Sequence, residues 1–300
     1  MTQLFNNEQY ETLARDIISD AFYSDMTFRG RISKERQYAE LVIRKLLDID
    51  PAETVTVGKK AVVAKINALP DSAFIMNALS VLQPFGNDTT HTQFLGEVTE
   101  QDFMKVTDSL FDLIASLLIN YFSKYKFGSK PEILRSFSLL PPIIRRKVLE
   151  YLYSKDSTNV SVTDKLALAI LKSDGKDAAL RWLEDNKNVL LAQKAVDMDF
   201  YKLVRKERGE ESADFLLDNA PSMYTSCLRK IEIVGEHIAA EGALYLDFES
   251  AKPYYEQHGI LYGYDNEIKE FNDIMEFLYL GRKGNDIEPS EQVVILNYLR

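Results

Sequence analysis

Apolar residues recur at three- and four-residue intervals along most of this 300-residue chain, and this spacing constrains the fold more than any other feature. In "YETLARDIISDAF", Tyr10, Ala14, Ile17 and Ile18 fall on one side of a helix. The same period returns in "RQYAELVIRKLL" and again over residues 100–125. The pattern therefore predicts a mainly α-helical protein. Weak alternation in "GALYLDFES" and "GILYGYD" suggests one short β-hairpin beside the helices.

Residues with known capping preferences predict where several helices begin and end. The second helix is predicted to begin after Ser33, and Gly86 is predicted to end the helix "SAFIMNALSVLQPF". Thr99 and Asp102 have the spacing of a capping box for the long helix that follows. Another helix is predicted over residues 188–207.

The segment "SKYKFGSK" is the best candidate for an interdomain linker, because Gly128, Ser129 and Pro131 follow one another there. The length of the chain allows one large domain or two ordinary ones. We therefore predict a helical bundle over residues 1–128 and an acidic helical domain over residues 129–300, the second a candidate protein-interaction module.

Composition points to a cytoplasmic protein. No stretch approaches 18 uninterrupted apolar residues, and the first segment lacks the basic start and apolar block of a signal peptide, so neither a membrane span nor secretion is expected. The single cysteine, Cys227, cannot form an internal disulfide or a cysteine-based metal cluster and is predicted to be buried. Phosphate-binding, dinucleotide-binding and metal-binding motifs are not found, so no cofactor or metal is predicted.

Charge is distributed unevenly along the chain. The net charge is -10, of which residues 1–150 contribute -1 and residues 151–300 contribute -9, which argues against a general nucleic-acid binder. A basic stretch nevertheless lies between residues 29 and 65, where the cations are either a nucleic-acid surface or ordinary solvated helix faces. The candidate nucleic-acid-binding residues are Arg29, Arg31, Arg36, Arg44, Lys45, Lys59 and Lys60.

The stretch "GNDTTHTQ" contains His91, one of three histidines in the chain. A histidine can act as a general acid or base near neutral pH if a neighbour orients it, and Asn87 is a candidate for that role. Alternatively, both side chains bond free backbone groups between two helices. A second polar-aromatic region contains Tyr254, Tyr255, Tyr262 and Tyr264, which could stack on bases, anchor a protein partner or cover a small core.

The order of these features resembles the HEPN superfamily (higher eukaryotes and prokaryotes nucleotide-binding), in particular the bacterial HEPN-like branch found in restriction and phage-defence proteins. The resemblance covers about residues 8–125. It rests on the helix "RQYAELVIRKLL", a short helix behind "GKK", the sequence "PFGNDTTH" and a long apolar helix after it. Active members are metal-independent ribonucleases that use an arginine followed four to six residues later by a histidine, usually in a homodimer.

This chain has Gly86 five residues before His91, and no arginine lies between Arg44 and His91. The arginine of the nuclease motif is therefore absent, and the resemblance favours a non-catalytic subunit of a bacterial defence or toxin-antitoxin-like system. Such a subunit is expected to bind a protein partner, as a homo-oligomer or a hetero-complex, with RNA as a second candidate ligand. Two alternatives stay open: a ribonuclease in which His91 works with an arginine from another helix, and an RNA-binding module.

Overall fold

The computed structural model describes residues 6–50, 52–90 and 96–285, and for residues 86–90 it describes the backbone alone. Within these residues the chain is mainly helical, with fifteen α-helices and no β-strand, as the apolar spacing predicted. No helix among them is long and apolar enough to cross a membrane. The suggested β-hairpin is therefore wrong: the end of "GALYLDFES" begins a helix instead, because Asp247 and Ser250 form a capping box there.

The described chain divides into two compact units. The first contains the residues up to Lys126 together with Ile260–Asn285, and the second contains Phe127–Gly259. The division made from the sequence keeps residues 260–285 in the second domain, whereas the structure packs them with the first. The reason is the helix in this segment, which buries an apolar face containing Phe271, Met275 and Phe277 within the first unit.

Six α-helices and one π-helical turn build the first unit. Its core lies where α2, α4 and α5 pack against one another, with α1 and α15 on α2 and α5. The elements are α1 (Asn7–Ile18), the π-helical turn (Ser19–Tyr23), α2 (Phe28–Leu47), α3 (Lys60–Asn67), α4 (Ser72–Thr90), α5 (Glu100–Lys124) and, from the end of the chain, α15 (Asn266–Tyr279).

Local chemistry explains where these helices begin and end. The capping box of Thr99 and Asp102 is present at the start of α5, as predicted. The predicted start of α2 after Ser33 is wrong, because the Thr27 side chain accepts a hydrogen bond from the Gly30 amide and the helix begins at Phe28. The predicted end at Gly86 is also wrong, since α4 continues to Thr90; a glycine weakens a helix but does not have to end it.

Nine further helices form the second unit, whose core is built by α7, α8, α9 and α13. Cys227 is buried there, as predicted, and burial raises the pKa of its thiol to about 12. The helices are α6 (Pro131–Phe137), α7 (Pro142–Lys155), α8 (Val160–Asp174), α9 (Lys176–Asp185), α10 (Lys187–Ala192), α11 (Met198–Arg208), α12 (Glu210–Asn219), α13 (Met223–Glu241) and α14 (Phe248–His258).

The single helix predicted over residues 188–207 is two helices, α10 and α11. The chain leaves the helical conformation at Gln193 because residues 193–195 form backbone hydrogen bonds with residues 221–223, including an antiparallel bridge between Lys194 and Ser222. The Asp197 side chain then caps α11 by accepting from two backbone amides. The consequence is a separate helical hairpin of α11 and α12.

Candidate functional site

The proposed catalytic pair falls mostly outside what can be described. His91 lies outside the described residues. Asn87 lies in the last turns of α4, where only the backbone is described. Its proposed role as an orienting residue therefore stays a prediction.

Arg29 of α2 lies close in space to the end of the segment that contains His91. Its guanidinium Nη2 donates a hydrogen bond of 2.7 Å to the carbonyl oxygen of Gly96. Gly96 is five residues after His91 in the sequence. The structure thus brings one of the seven candidate cations to the border of the segment 91–95.

The four other candidate cations of α2 have structural roles within the first unit, beginning with Arg31 and Arg36. The Arg31 guanidinium donates to the Ala21 carbonyl of the π-helical turn and lies 4.0 Å from the centre of the Phe103 ring. Arg36 Nε is 3.9 Å from a carboxylate oxygen of Glu40, four residues later on the same helix.

Arg44 binds the chain that follows α2. Its guanidinium donates to the carbonyls of Asp50 at 3.2 Å and Glu53 at 2.6 Å, so it fixes the path of the loop behind the helix. Lys59 and Lys60, in contrast, are exposed at the start of α3, where Lys59 Nζ is 3.5 Å from the Thr54 carbonyl.

Lys45 is the most buried of the seven candidates and joins three helices. Its ammonium lies 2.5 Å from a carboxylate oxygen of Asp273 in α15 and 3.1 Å from the side-chain oxygen of Asn7 in α1. The Asn7 amide donates in turn to both the carboxylate and the backbone carbonyl of Asp273. Burial lowers the pKa of Lys45, and the charge of Asp273 opposes that effect. This position is therefore a structural clasp rather than an exposed phosphate contact.

An open cleft of about 590 Å³ runs beside Lys45, between α2, α5 and α15. Its walls combine an apolar part, which includes Leu117 and Ile274, with amide and charged groups, which include Asn120 and Asn266. Asn266 is the first residue of α15. One wall of the cleft is therefore formed by α15, the helix that begins directly after residues 260–265.

A buried carboxylate that was not predicted from the sequence lies between α2 and α5 of the first unit. Glu35 of α2 is fully buried; one carboxylate oxygen accepts a hydrogen bond of 2.6 Å from the Thr107 hydroxyl of α5, and the other has no hydrogen-bond partner among the described residues. Burial raises the pKa of Glu35 to about 7, while the Thr107 bond and the charges of Arg31 and Arg282 oppose the rise. We call Arg31, Glu35, Thr107 and Arg282 the Glu35 cluster.

Arg282 enters this cluster from the far end of the chain. It is 4% exposed, and its guanidinium lies 4.6 Å from the centre of the Phe22 ring and 5.6 Å from that of the Tyr38 ring. A signal for Glu35 is present in the sequence, because it interrupts the apolar series of Ile32, Tyr38 and their neighbours at a core-facing position. No local signal connects Arg282 to that position, since about 250 residues separate them.

The tyrosine-rich region separates into buried and exposed parts. Tyr254 and Tyr255, on α14, are buried in the second unit. Tyr262 and Tyr264 lie in residues 260–265 of the first unit, which we call the tyrosine loop, and each is 95% exposed. The interpretation that these tyrosines cover a small core therefore holds for Tyr254 and Tyr255 and fails for Tyr262 and Tyr264.

Both ends of the tyrosine loop are fixed by hydrogen bonds. The side-chain amide of Asn272 accepts from the Leu261 backbone amide at 3.1 Å and donates to the Leu261 carbonyl at 2.7 Å. The Asp265 side chain accepts from the Ile268 amide and caps α15. Tyr262 and Tyr264 are thus presented to solvent from a backbone that is anchored immediately before and after them.

No protein-family model matches this chain, and the comparisons with curated proteins and with solved structures found no match either. The assignment of function therefore depends on the residues and their geometry.

Proposed function

We propose that the protein is a non-catalytic recognition or assembly subunit that binds a protein partner through the tyrosine loop. The observation that carries the proposal is the pair of tyrosines, each 95% exposed, on a loop anchored at both ends. Tyrosine is enriched among the residues that dominate protein-protein binding energies. It has few rotatable bonds, so it loses little conformational entropy when a partner covers it.

The charges near this loop favour a protein over a nucleic acid as the ligand. The loop leads into the start of α15, where the carboxylates of Asp265 and Glu267 lie beside Lys269, and Glu270 pairs with Lys124 of α5. Bases stacked on these tyrosines would bring phosphates toward those carboxylates, in a chain whose net charge is already -10. A protein segment with an apolar anchor and basic neighbours meets no such repulsion.

The resemblance to the HEPN superfamily supplies the cellular setting of the proposal, a bacterial phage-defence, restriction or toxin-antitoxin-like system. Arg31, Arg44 and Lys45 contact protein groups within the first unit. They therefore do not form an open cationic surface for phosphates, which supports a protein-binding role over an RNA-binding one.

Site-specific photocrosslinking in the cells that encode the protein tests this proposal. A photoreactive phenylalanine analogue replaces Tyr262 or Tyr264 in separate variants, and the matched control carries it at Met104, which is 64% exposed in the same unit. We expect one protein adduct from both loop positions and none from position 104. The double variant Tyr262→Ala/Tyr264→Ala should then no longer retain that protein on co-purification.

Two outcomes would contradict the proposal. Adducts that contain RNA instead of protein would favour the RNA-binding alternative. Equal labelling from position 104 and the loop would show that the tyrosines are not a specific recognition site.

Arg29 supports a second candidate function, that of a metal-independent ribonuclease. The arginine missing from the sequence before His91 would then be Arg29, whose guanidinium binds the carbonyl of Gly96 at the border of the segment 91–95. In such a reaction, the histidine would move a proton and the arginine would stabilise charge on the phosphate.

Cleavage of labelled RNA in the presence of a chelator tests this second candidate. Wild type is compared with His91→Ala and Arg29→Ala, and Arg15→Ala serves as the matched control because Arg15 is an exposed arginine paired with Glu11. Activity that is lost in the first two variants and kept in the third would establish the ribonuclease. Absence of cleavage in wild type, or equal cleavage by all four proteins, would count against it.

A further inference from the structure

The hairpin of α11 and α12 has very little interior. No residue of α11 is buried, and α12 buries only Ala213. The two helices pack chiefly against each other. The base of the hairpin is held by the bridge between Lys194 and Ser222, and its tip is Gly209, which has a φ of +90°.

Large apolar side chains on this hairpin are exposed. Phe215 of α12 is 71% exposed, and Phe200 and Leu203 of α11 are 53% and 47% exposed. The contact of so many large apolar side chains with water is unfavourable. Their burial contributes roughly 25 cal/mol for each Å² of apolar surface that is removed from water. Exposed apolar groups surrounded by charges are typical of association surfaces.

The charges of the two helices have opposite sign. In α11, four basic residues stand against two acidic ones, whereas α12 has four acidic residues and no basic one. These charged residues also lie next to the exposed apolar residues of each helix. Residues three, four or seven apart share one side of a helix, so Lys202, Leu203 and Lys206 share one side of α11 with Asp199, whose carboxylate lies 3.2 Å from Lys202 Nζ. This side keeps a net positive charge through Lys206, and we call Lys202, Leu203 and Lys206 the basic stripe.

On α12, Glu211, Phe215 and Asp218 share one side in the same way and form an acidic stripe. Each stripe thus has an exposed apolar residue beside charged ones, and their sum is positive on α11, where Asp199 offsets Lys202, and negative on α12. The basic stripe and the acidic stripe are therefore complementary both in charge and in apolar content.

We infer that a second copy of this chain covers the hairpin, with the basic stripe of one copy packed on the acidic stripe of the other. One surface that carries both members of a complementary pair can be satisfied by its own duplicate. The opposite arrangement, α11 on α11 or α12 on α12, would place like charges together and is disfavoured. This self-association is independent of the tyrosine loop, so it can fail while the proposed function stands.

A charge-exchange experiment on the full chain tests the inference. One variant, Lys202→Glu/Lys206→Glu, makes the α11 stripe acidic, and another, Glu211→Lys/Asp218→Lys, makes the α12 stripe basic. The control Lys59→Glu/Lys60→Glu makes the same change in net charge as the α11 variant, at two exposed lysines of the first unit. Mass is measured by sedimentation across a range of protein concentrations, and circular dichroism with Trp182 fluorescence verifies that each variant is folded.

We expect wild type and the control to associate, each stripe variant alone to associate at least about 50-fold more weakly, and an equal mixture of the two stripe variants to regain the association of wild type. A wild type that stays monomeric throughout, a folded stripe variant that associates as well as the control, or a mixture that stays monomeric would each overturn the inference.

Discussion

Helices α2 and α11 are both rich in lysine and arginine, yet the two helices use these cations in opposite ways. In α2, the guanidinium and ammonium groups of Arg31, Arg44 and Lys45 bind carbonyls, a carboxylate and an aromatic ring of the same unit. In α11, no residue is buried and the cations lie on the surface. The comparison shows that a basic helix is an interaction surface only where the rest of the chain leaves its charges uncovered.

Removal of the Lys45 ammonium should have the largest effect on stability. Lys45→Ala leaves Asp273 and Asn7 without the cation that joins α1, α2 and α15, and it also removes a buried aliphatic stem. Asp273 is 49% exposed, so water can solvate its carboxylate in the variant, and most of the expected loss of about 3 kcal/mol comes from the buried stem and the space that it leaves. The free energy of unfolding is measured in urea by circular dichroism.

Trp182 is the only tryptophan of the chain and belongs to the second unit, so its fluorescence reports that unit separately. Lys45→Ala should lower the urea midpoint measured by circular dichroism more than the urea midpoint measured by Trp182 fluorescence. An unchanged circular-dichroism midpoint would show that Lys45 is not the clasp described here.

The buried carboxylate of Glu35 should give the first unit a pH-dependent stability. Its pKa rises from 4.5 to about 7 on folding because burial disfavours the charged form. The folded state therefore binds this proton more tightly than the unfolded state does. The contribution of Glu35 to stability is therefore greatest below pH 4.5. As the pH rises to 7, this contribution to the free energy of unfolding falls by about 3 kcal/mol.

Urea unfolding at a series of pH values, in wild type and in Glu35→Gln, isolates that contribution. The difference between the two proteins should change with pH between 4.5 and 7 and become constant above this range. Glu97→Gln, a change at an exposed glutamate, is the control and should follow wild type. Parallel pH profiles for Glu35→Gln and wild type would refute the assignment.

Arg44→Ala should have an intermediate effect. The variant loses two charged hydrogen bonds, to the carbonyls of Asp50 and Glu53, and we expect destabilisation by about 1.5 kcal/mol. Arg44→Lys should recover only part of this loss, because an ammonium lacks the planar fork that reaches both carbonyls. Full recovery in the lysine variant would mean that charge alone, and not the fork, is what the loop requires.

Lys206→Ala in α11 should have the smallest effect on stability. This exposed lysine belongs to a helix with no buried residue, so its removal should leave the urea midpoint within experimental error while it weakens self-association. A large loss of stability in a protein kept at low concentration would show that α11 resembles α2 more closely than the structure indicates.

Sequence reasoning succeeded where the signal is local. The helical class, the capping box at Thr99 and the burial of Cys227 each depend on neighbouring residues or on composition, and all are confirmed. It failed at Gly86 and over residues 188–207, where packing or a distant backbone bridge overrides local preference.

The candidate site was predictable in part. The sequence identified Tyr262 and Tyr264, but it grouped them with Tyr254 and Tyr255, since composition cannot distinguish an anchored exposed loop from a buried helix face. The cations of α2 were identified as residues, but the partners of Arg29, Arg31, Arg44 and Lys45 lie in other helices and loops, so their structural roles could not be inferred.

The first unit is discontinuous in the chain, and this has a consequence for synthesis on the ribosome. Residues up to Lys126 leave the ribosome long before Ile260–Asn285, because Phe127–Gly259 of the second unit are made in between. At common translation rates that interval lasts on the order of 10 s. During this time the Asn7–Lys45 contact lacks Asp273, and Glu35 lacks Arg282. The first unit therefore cannot complete its packing until α15 has been synthesised.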